Sequence, residues 1–140
     1  MAEKKSRSAC PISCALEIFG DKWTLLIVRD IAFFGKNTYN EFLKSDEGIA
    51  TNILASRLAG LEAGGIIARK KHPASRAKIF YELTPKGAGL VPVLLEISLW
   101  ADAHLDTPAR ARDFAAAYRE NRAEVLGQVA AQLNSGKPLA

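Results

Sequence analysis

Apolar residues follow helical spacing through the first half of the chain, switch to strand alternation near Ile66, and return to helical spacing after Pro85. Cys10 to Phe19 predicts a short first helix, opened by Pro11 near its first turn and closed by Gly20. Asp21 can cap a second helix, because its carboxylate accepts hydrogen bonds from amides that have no intrahelical partner. The apolar residues Trp23, Leu26, Ile27, Ile31 and Phe34 of that helix share a stripe, and Gly35 ends it. Thr38 to Lys44 predicts a third, short helix with Tyr39, Phe42 and Leu43 as its packing residues. A turn at Asp46-Glu47-Gly48 then leads into a fourth helix over Thr51–Ala63, stopped by Gly64-Gly65. The runs Ile66–His72 and Lys78–Leu83 predict a β-hairpin around a turn containing Pro73 and Ser75, with Ile79, Tyr81 and Leu83 on one half-buried face. Thr84-Pro85 starts a long helix to about Ala103, and Thr107-Pro108 another to about Leu133.

Composition adds the size class. With 140 residues, 49% hydrophobic and 24% charged, the chain suits one globular domain that needs neither metal nor disulfide to hold its core. No apolar run approaches the ~20 residues that span a bilayer. The basic start Met1–Arg7 is not followed by an apolar segment and cleavage site. A cytoplasmic protein without a membrane partner is expected.

The fourth helix has an unusual outer face. Ile53, Leu54, Leu58 and Leu61 gather on one side, and the opposite side holds Asn52, Ala55, Ser56 and Ala59, with Thr51 at the start. That stripe is small and polar and lacks the Glu/Lys pairs common on solvated helices. Small side chains let a helix approach a surface closely, and Asn52 and Ser56 offer donors and acceptors suited to base edges in a major groove. The same face could instead pack against another subunit. The charge distribution favours DNA: residues 65–100 carry six basic and two acidic side chains, and five Lys/Arg fall within Arg69–Lys78 with no acid among them. Such a hairpin adds phosphate contacts that do not read sequence. Together these features predict a mainly α fold with a small β-hairpin (α+β), a winged helix-turn-helix with additional C-terminal helices for dimerisation. Thr51, Asn52, Ala55 and Ser56 are the candidate base contacts. Lys36, Tyr39, Arg57, Lys71, His72, Arg76 and Lys78 are the candidate phosphate or wing contacts. Arg57 has an alternative as the intramolecular partner of a carboxylate such as Glu41, and Trp23 is expected in the core.

Several runs resemble the HxlR family of bacterial transcriptional regulators, a branch of the MarR-like winged-helix proteins. They are Cys10-Pro11-Ile12, Gly20-Asp21-Lys22-Trp23-Thr24-Leu25-Leu26-Ile27-Val28-Arg29, Tyr39-Asn40-Glu41-Phe42, Leu54-Ala55-Ser56-Arg57-Leu58, Leu61-Glu62-Ala63-Gly64-Gly65-Ile66-Ile67 and Tyr81-Glu82-Leu83-Thr84-Pro85-Lys86-Gly87. The resemblance covers about residues 10–105. It implies a homodimer whose recognition helices enter successive major grooves of a palindromic double-stranded operator. It also places Cys10 where many relatives carry a cysteine that senses oxidants or electrophiles. Nearby Lys4, Lys5 and Arg7 would favour the thiolate; the alternative is an inert thiol. The chain departs from the family pattern at Ile49-Ala50-Thr51-Asn52, where relatives often begin Ile-Ser-Pro-Lys, so Thr51 is expected to take over the cap. It departs again at Thr38, in place of an arginine, and at Arg76-Ala77, in place of prolines.

The remaining chemistry is sparse. Two cysteines and two histidines do not make a four-ligand zinc site, so neither metal nor cofactor is expected. Cys14 is expected in the core, and His104 as a cap-like or buried residue. No catalytic motif is present, and an enzyme is not expected. The long helix after Pro85 is apolar over a wide arc, more than one core uses. Leu90, Leu94, Ile97 and Trp100 are therefore the candidate dimer interface. The expected organisation is a basic tail over residues 1–9, a DNA-binding domain over 10–105, and an extension over 106–140 for dimerisation or for roofing a small-molecule effector pocket. A winged-helix module that binds protein rather than DNA is the alternative function.

Overall fold

Several helix starts are set by side chains that complete first turns. The structure, a computed structural model, describes residues 7–72 and 75–135, without the side chains of residues 72, 75–76, 109–111, 114 and 133–135. Most of the expected basic tail, and Pro73 in the hairpin turn, lie outside the described residues. Helix α1 spans Pro11–Phe19. Asp21 accepts from the amides of Trp23 and Thr24 ahead of α2, Thr24–Ala32. Thr38 caps α3, Tyr39–Leu43, by accepting from the Glu41 amide. The fourth helix, α4, occupies Thr51–Ala63 as the spacing predicts. Strands β1, Ile67–His72, and β2, Ser75–Leu83, pair antiparallel with Ile67 opposite Leu83, Arg69 opposite Tyr81 and Lys71 opposite Ile79.

The two C-terminal helices of the sequence reading are each broken in two. Thr84 caps α5, Pro85–Ala88, and a new helix, α6, runs over Val91–His104. Pro92 in the first turn of α6 has no N–H to return to the preceding turn, so a helix from Pro85 cannot continue through it. The extension divides into α7, Ala109–Glu120, and α8, Arg122–Ser135. Asn121 leaves helical geometry (φ −148°, ψ 81°), and its side-chain oxygen accepts from the Glu124 amide. That is the start signal of a new helix.

Two cores share α6. The first gathers Ile27, Val28, Phe42, Leu54, Leu58, Leu61, Ile66, Ile67 and Leu94, and so packs α2, α3, α4 and the base of the hairpin together. Leu90 packs partly against it. The second joins Ala32, Val91, Leu95 and Leu99 to Ala115, Tyr118 and Val129 of α7 and α8. The wide apolar arc of α6 is thus largely covered by its own chain. Trp23 is half-buried rather than fully in the core, with the Lys22 ammonium 5.2 Å from its ring centre.

The hairpin is anchored at its base. The Tyr81 amide donates to the Asn37 carbonyl (2.8 Å), and the Tyr81 and Phe42 rings lie 6.1 Å apart. Thr84 and Lys86 donate to the carbonyls of Gly65 and Gly64, closing α5 over the end of α4. Gly87 permits this closure, since a Cβ there would lie 2.1 Å from the Ile66 carbonyl oxygen. Gly87→Ala should therefore destabilise the chain by about 2 kcal/mol or more in urea unfolding. Gly60→Ala, which meets nothing within 4 Å, should be neutral or stabilising by up to ~1 kcal/mol. Equal effects would contradict the close approach at Ile66.

Candidate nucleic-acid interface

Three buried leucines, Leu54, Leu58 and Leu61, turn the opposite side of α4 outward. Thr51, Asn52, Ala55 and Ser56 are all exposed, as are Ala59 and Gly60 further along. Ala50 occupies the position before the helix and no side chain caps it, so the expected cap by Thr51 is not formed. Thr51 is instead the first helical residue, and its carbonyl accepts from the Tyr39 hydroxyl at 3.1 Å.

Arg57 is half-buried, and its Nε donates to Asp21 Oδ2 at 2.9 Å. Its carboxylate partner is therefore Asp21, not Glu41. Glu41 accepts from the Thr38 hydroxyl and the Asn37 amide within its own turn. Asp21 also accepts from the Thr24 hydroxyl at 2.6 Å. Burial raises the Asp21 pKa, but hydrogen bonds from Thr24, from the Trp23 and Thr24 amides and from Arg57 outweigh it and hold the carboxyl below its ordinary value. One carboxylate thus starts α2 and ties α4 to it. Sequence spacing marks Asp21 as a cap and carries no sign of the second duty, because the pair is 36 residues apart.

The basic residues divide. Lys71 and Lys78 are exposed on the hairpin. The side chains of His72 and Arg76 lie outside the described residues. Lys70 pairs with Glu82 across the strands at 2.6 Å, which lowers the free charge of the wing. Lys36 is half-buried and donates to Ser45 Oγ at 2.9 Å, and Tyr39 is half-buried.

Among the four candidate interface residues, Leu94 is 8% exposed and belongs to the first core, with Leu90 packed against it. Leu94 is thus removed from the surface, and Leu90 is half-buried. Ile97 and Trp100 are 47% and 60% exposed. Ile12 and Leu16 share an exposed apolar face of α1 absent from the predicted interface, and Ile18 is exposed on the other side of that helix. Its signal was available, since α1 carries more apolar side chains than one neighbouring helix covers. His104 is exposed, against expectation, beside the Trp100 ring at 5.2 Å. Cys10 is exposed at the start of α1. Cys14 is half-buried rather than core, and its thiol donates to the Ser8 carbonyl at 3.3 Å. Among the described residues no group of three or more His, Cys, Asp or Glu could hold a metal ion, and no helix is long and apolar enough to cross a membrane.

A three-helix core, an outward-facing small polar helix and an adjoining basic hairpin define a winged helix-turn-helix DNA-binding protein. Residues 18–109 match the HxlR-like helix-turn-helix family, and the chain belongs to it. YybR of Bacillus subtilis, an uncharacterized HTH-type transcriptional regulator, is 31% identical over 129 residues, spanning 86% of this chain and 94% of YybR. The crystal structure of PA1607, a proposed transcription factor, is 39% identical with a TM-score of 0.66, over 74% of this chain and 70% of that one. The redox regulator HypR in its oxidized form is 30% identical with a TM-score of 0.59, over 70% of this chain and 100% of HypR. The protein is a DNA-binding transcriptional regulator.

Because Asp21 is ionised below its ordinary pKa when folded, its contribution to stability is complete at neutral pH and fades as pH falls below about 4. Asp21→Ala should lower stability by about 1–2 kcal/mol at pH 7, through loss of the cap. The gap to the wild type should narrow in urea titrations repeated towards pH 3. A gap that is constant with pH would show that ionised Asp21 does not hold α2 and α4.

Proposed function

We propose that the chain binds a palindromic operator as a homodimer, with Thr51, Asn52, Ala55 and Ser56 of each α4 facing bases. The observation that carries this reading is the exposed small polar stripe of α4, backed by three buried leucines and flanked by the basic hairpin. Lys71, His72, Arg76 and Lys78 of the wing take phosphates or the minor groove, and Lys36, Tyr39 and Arg57 take phosphates beside the helix. Lys36 would exchange its Ser45 hydrogen bond for such a contact, and Arg57 would reach a phosphate with its terminal nitrogens while Nε stays on Asp21.

The two copies would meet through Ile97 and Trp100 together with the apolar face of α1, since exposed large side chains concentrate there. Residues 10–105 serve as the DNA-binding domain, and the extension over residues 106–140 serves dimerisation or an effector pocket. The site of action is the cytoplasm, and the reading includes no catalytic step. The likeness to HypR and the exposure of Cys10 support a redox or small-molecule signal received at that thiol.

Enrichment of random duplexes by the purified protein tests the assignment and should return a two-fold symmetric site. Asn52→Ala should then change preference at one base pair per half-site by about 1–3 kcal/mol. Removing the charges of Arg76 and Lys78 should weaken binding to all duplexes and flatten the salt dependence by about 0.9 per lost phosphate contact. Failure to enrich any sequence would favour a protein-interaction module.

A further inference from the structure

We propose that Arg29 is a positioning residue for DNA reading, which fixes the turn ahead of α4 to α2 without itself contacting the duplex. The proposal rests on the reading of α4 as the recognition helix. The Arg29 guanidinium meets Glu47 bidentately, Nη2 to Oε1 at 2.8 Å and Nη1 to Oε2 at 3.0 Å. It also reaches its neighbour Asp30, with Nη2 and Nε at 2.7 and 3.1 Å from Oδ1. Asp30 is only 2% exposed, and its other oxygen accepts from the Ser45 hydroxyl at 2.5 Å. Lys36 completes the cluster through Ser45.

The consequence follows from where the partners sit. Ser45 and Glu47 lie in the turn between α3 and α4, on either side of Asp46 and just before Gly48, whose φ of +70° sharpens the turn. The two adjacent α2 residues Arg29 and Asp30 therefore grip this turn at two points. Trp23, Leu26, Phe42 and Ile49 line a small cleft together with Asp30, Ser45 and Glu47, so the inner side of the network adjoins apolar side chains. Hydrogen bonds from Arg29 hold the Glu47 carboxyl below its ordinary pKa, against the effect of burial. A buried carboxylate such as Asp30 is destabilising unless paired, and a planar five-donor fork can meet Glu47 bidentately while also serving Asp30, a geometry that an ammonium does not reproduce. With Arg29 and Lys36 set against Asp30 and Glu47, the formal charge of the cluster cancels. All three guanidinium nitrogens are hydrogen-bonded, so the arrangement is built to hold a turn rather than to receive a phosphate.

The test uses the full chain with two probes, a duplex enriched from random sequence by the wild type and a scrambled duplex of the same composition. Arg29→Lys should lose tenfold or more in affinity for the enriched duplex, and Glu47→Gln several-fold. Each should keep scrambled-duplex affinity within twofold and leave the salt slope unchanged. The double variant should lose no more than Arg29→Lys alone, because both act through one contact. Circular dichroism checks that each variant folds, and should Arg29→Lys fail to fold, Glu47→Gln carries the test, its partner lying at the exposed edge of the network. Wild-type affinity in folded variants would overturn the proposal. So would an equal loss on both duplexes with the slope reduced by about 0.9, the mark of a direct phosphate contact. Failure of the wild type to enrich any duplex would overturn the DNA-binding reading, and the positioning role with it.

Discussion

A helix can offer one face to a groove only if its other face is held, and in this chain three leucines do the holding. Leu54, Leu58 and Leu61 are buried in one core with α2, α3 and the hairpin base. Each contributes roughly 1.5–3 kcal/mol by leaving water. The same stripe decides the rotation of α4 about its axis, and so decides that Asn52, Ala55 and Ser56 point outward. Asn52, Ala55 and Ser56 take no part in this packing, so the outer face can vary without cost to the fold.

Apolar packing sets the rotation of α4, and polar contacts set its position along its own axis. The Tyr39 hydroxyl holds its first carbonyl, Asp21 holds Arg57 one and a half turns later, and the Arg29 network holds the turn before it. Two of these three ties come from α2 and the turn ahead of it rather than from α3, the other helix of the reading motif. Helix α2 is itself clamped on its far side, where Ala32 enters the second core with α6, α7 and α8. The C-terminal extension thereby packs on the helix that anchors α4. This packing within one chain leaves Ile97 and Trp100 of α6 exposed.

Much of this was legible in the amino-acid pattern. Leucines at helical spacing located α4, and the alternation of Ile79, Tyr81 and Leu83 located the hairpin, because burial of one face imposes a period. The exposed stripe on α4 was legible for the same reason. What was missed depends on partners far apart in sequence or on backbone punctuation within apolar runs. The Asp21–Arg57 pair, the bidentate hold of Arg29 on Glu47 and the burial of Leu94 follow from tertiary placement that spacing does not encode. The breaks at Gly89-Leu90 and Asn121 did carry local signals, a proline one residue into the next helix and an Asn-x-x-Glu start. Continuous apolar periodicity masked both.

The central claim is that the outer face of α4, together with the basic hairpin, is the surface that meets DNA. Backbone amide chemical-shift mapping of isotopically labelled protein, titrated with a duplex that it has itself enriched, tests this most directly. The account predicts that the largest changes fall on Thr51, Asn52, Ala55 and Ser56, with a second set at Lys71 and Lys78. Changes confined to α1 and to the Ile97–Trp100 face of α6, with the amides of Thr51–Ser56 unmoved, would contradict it.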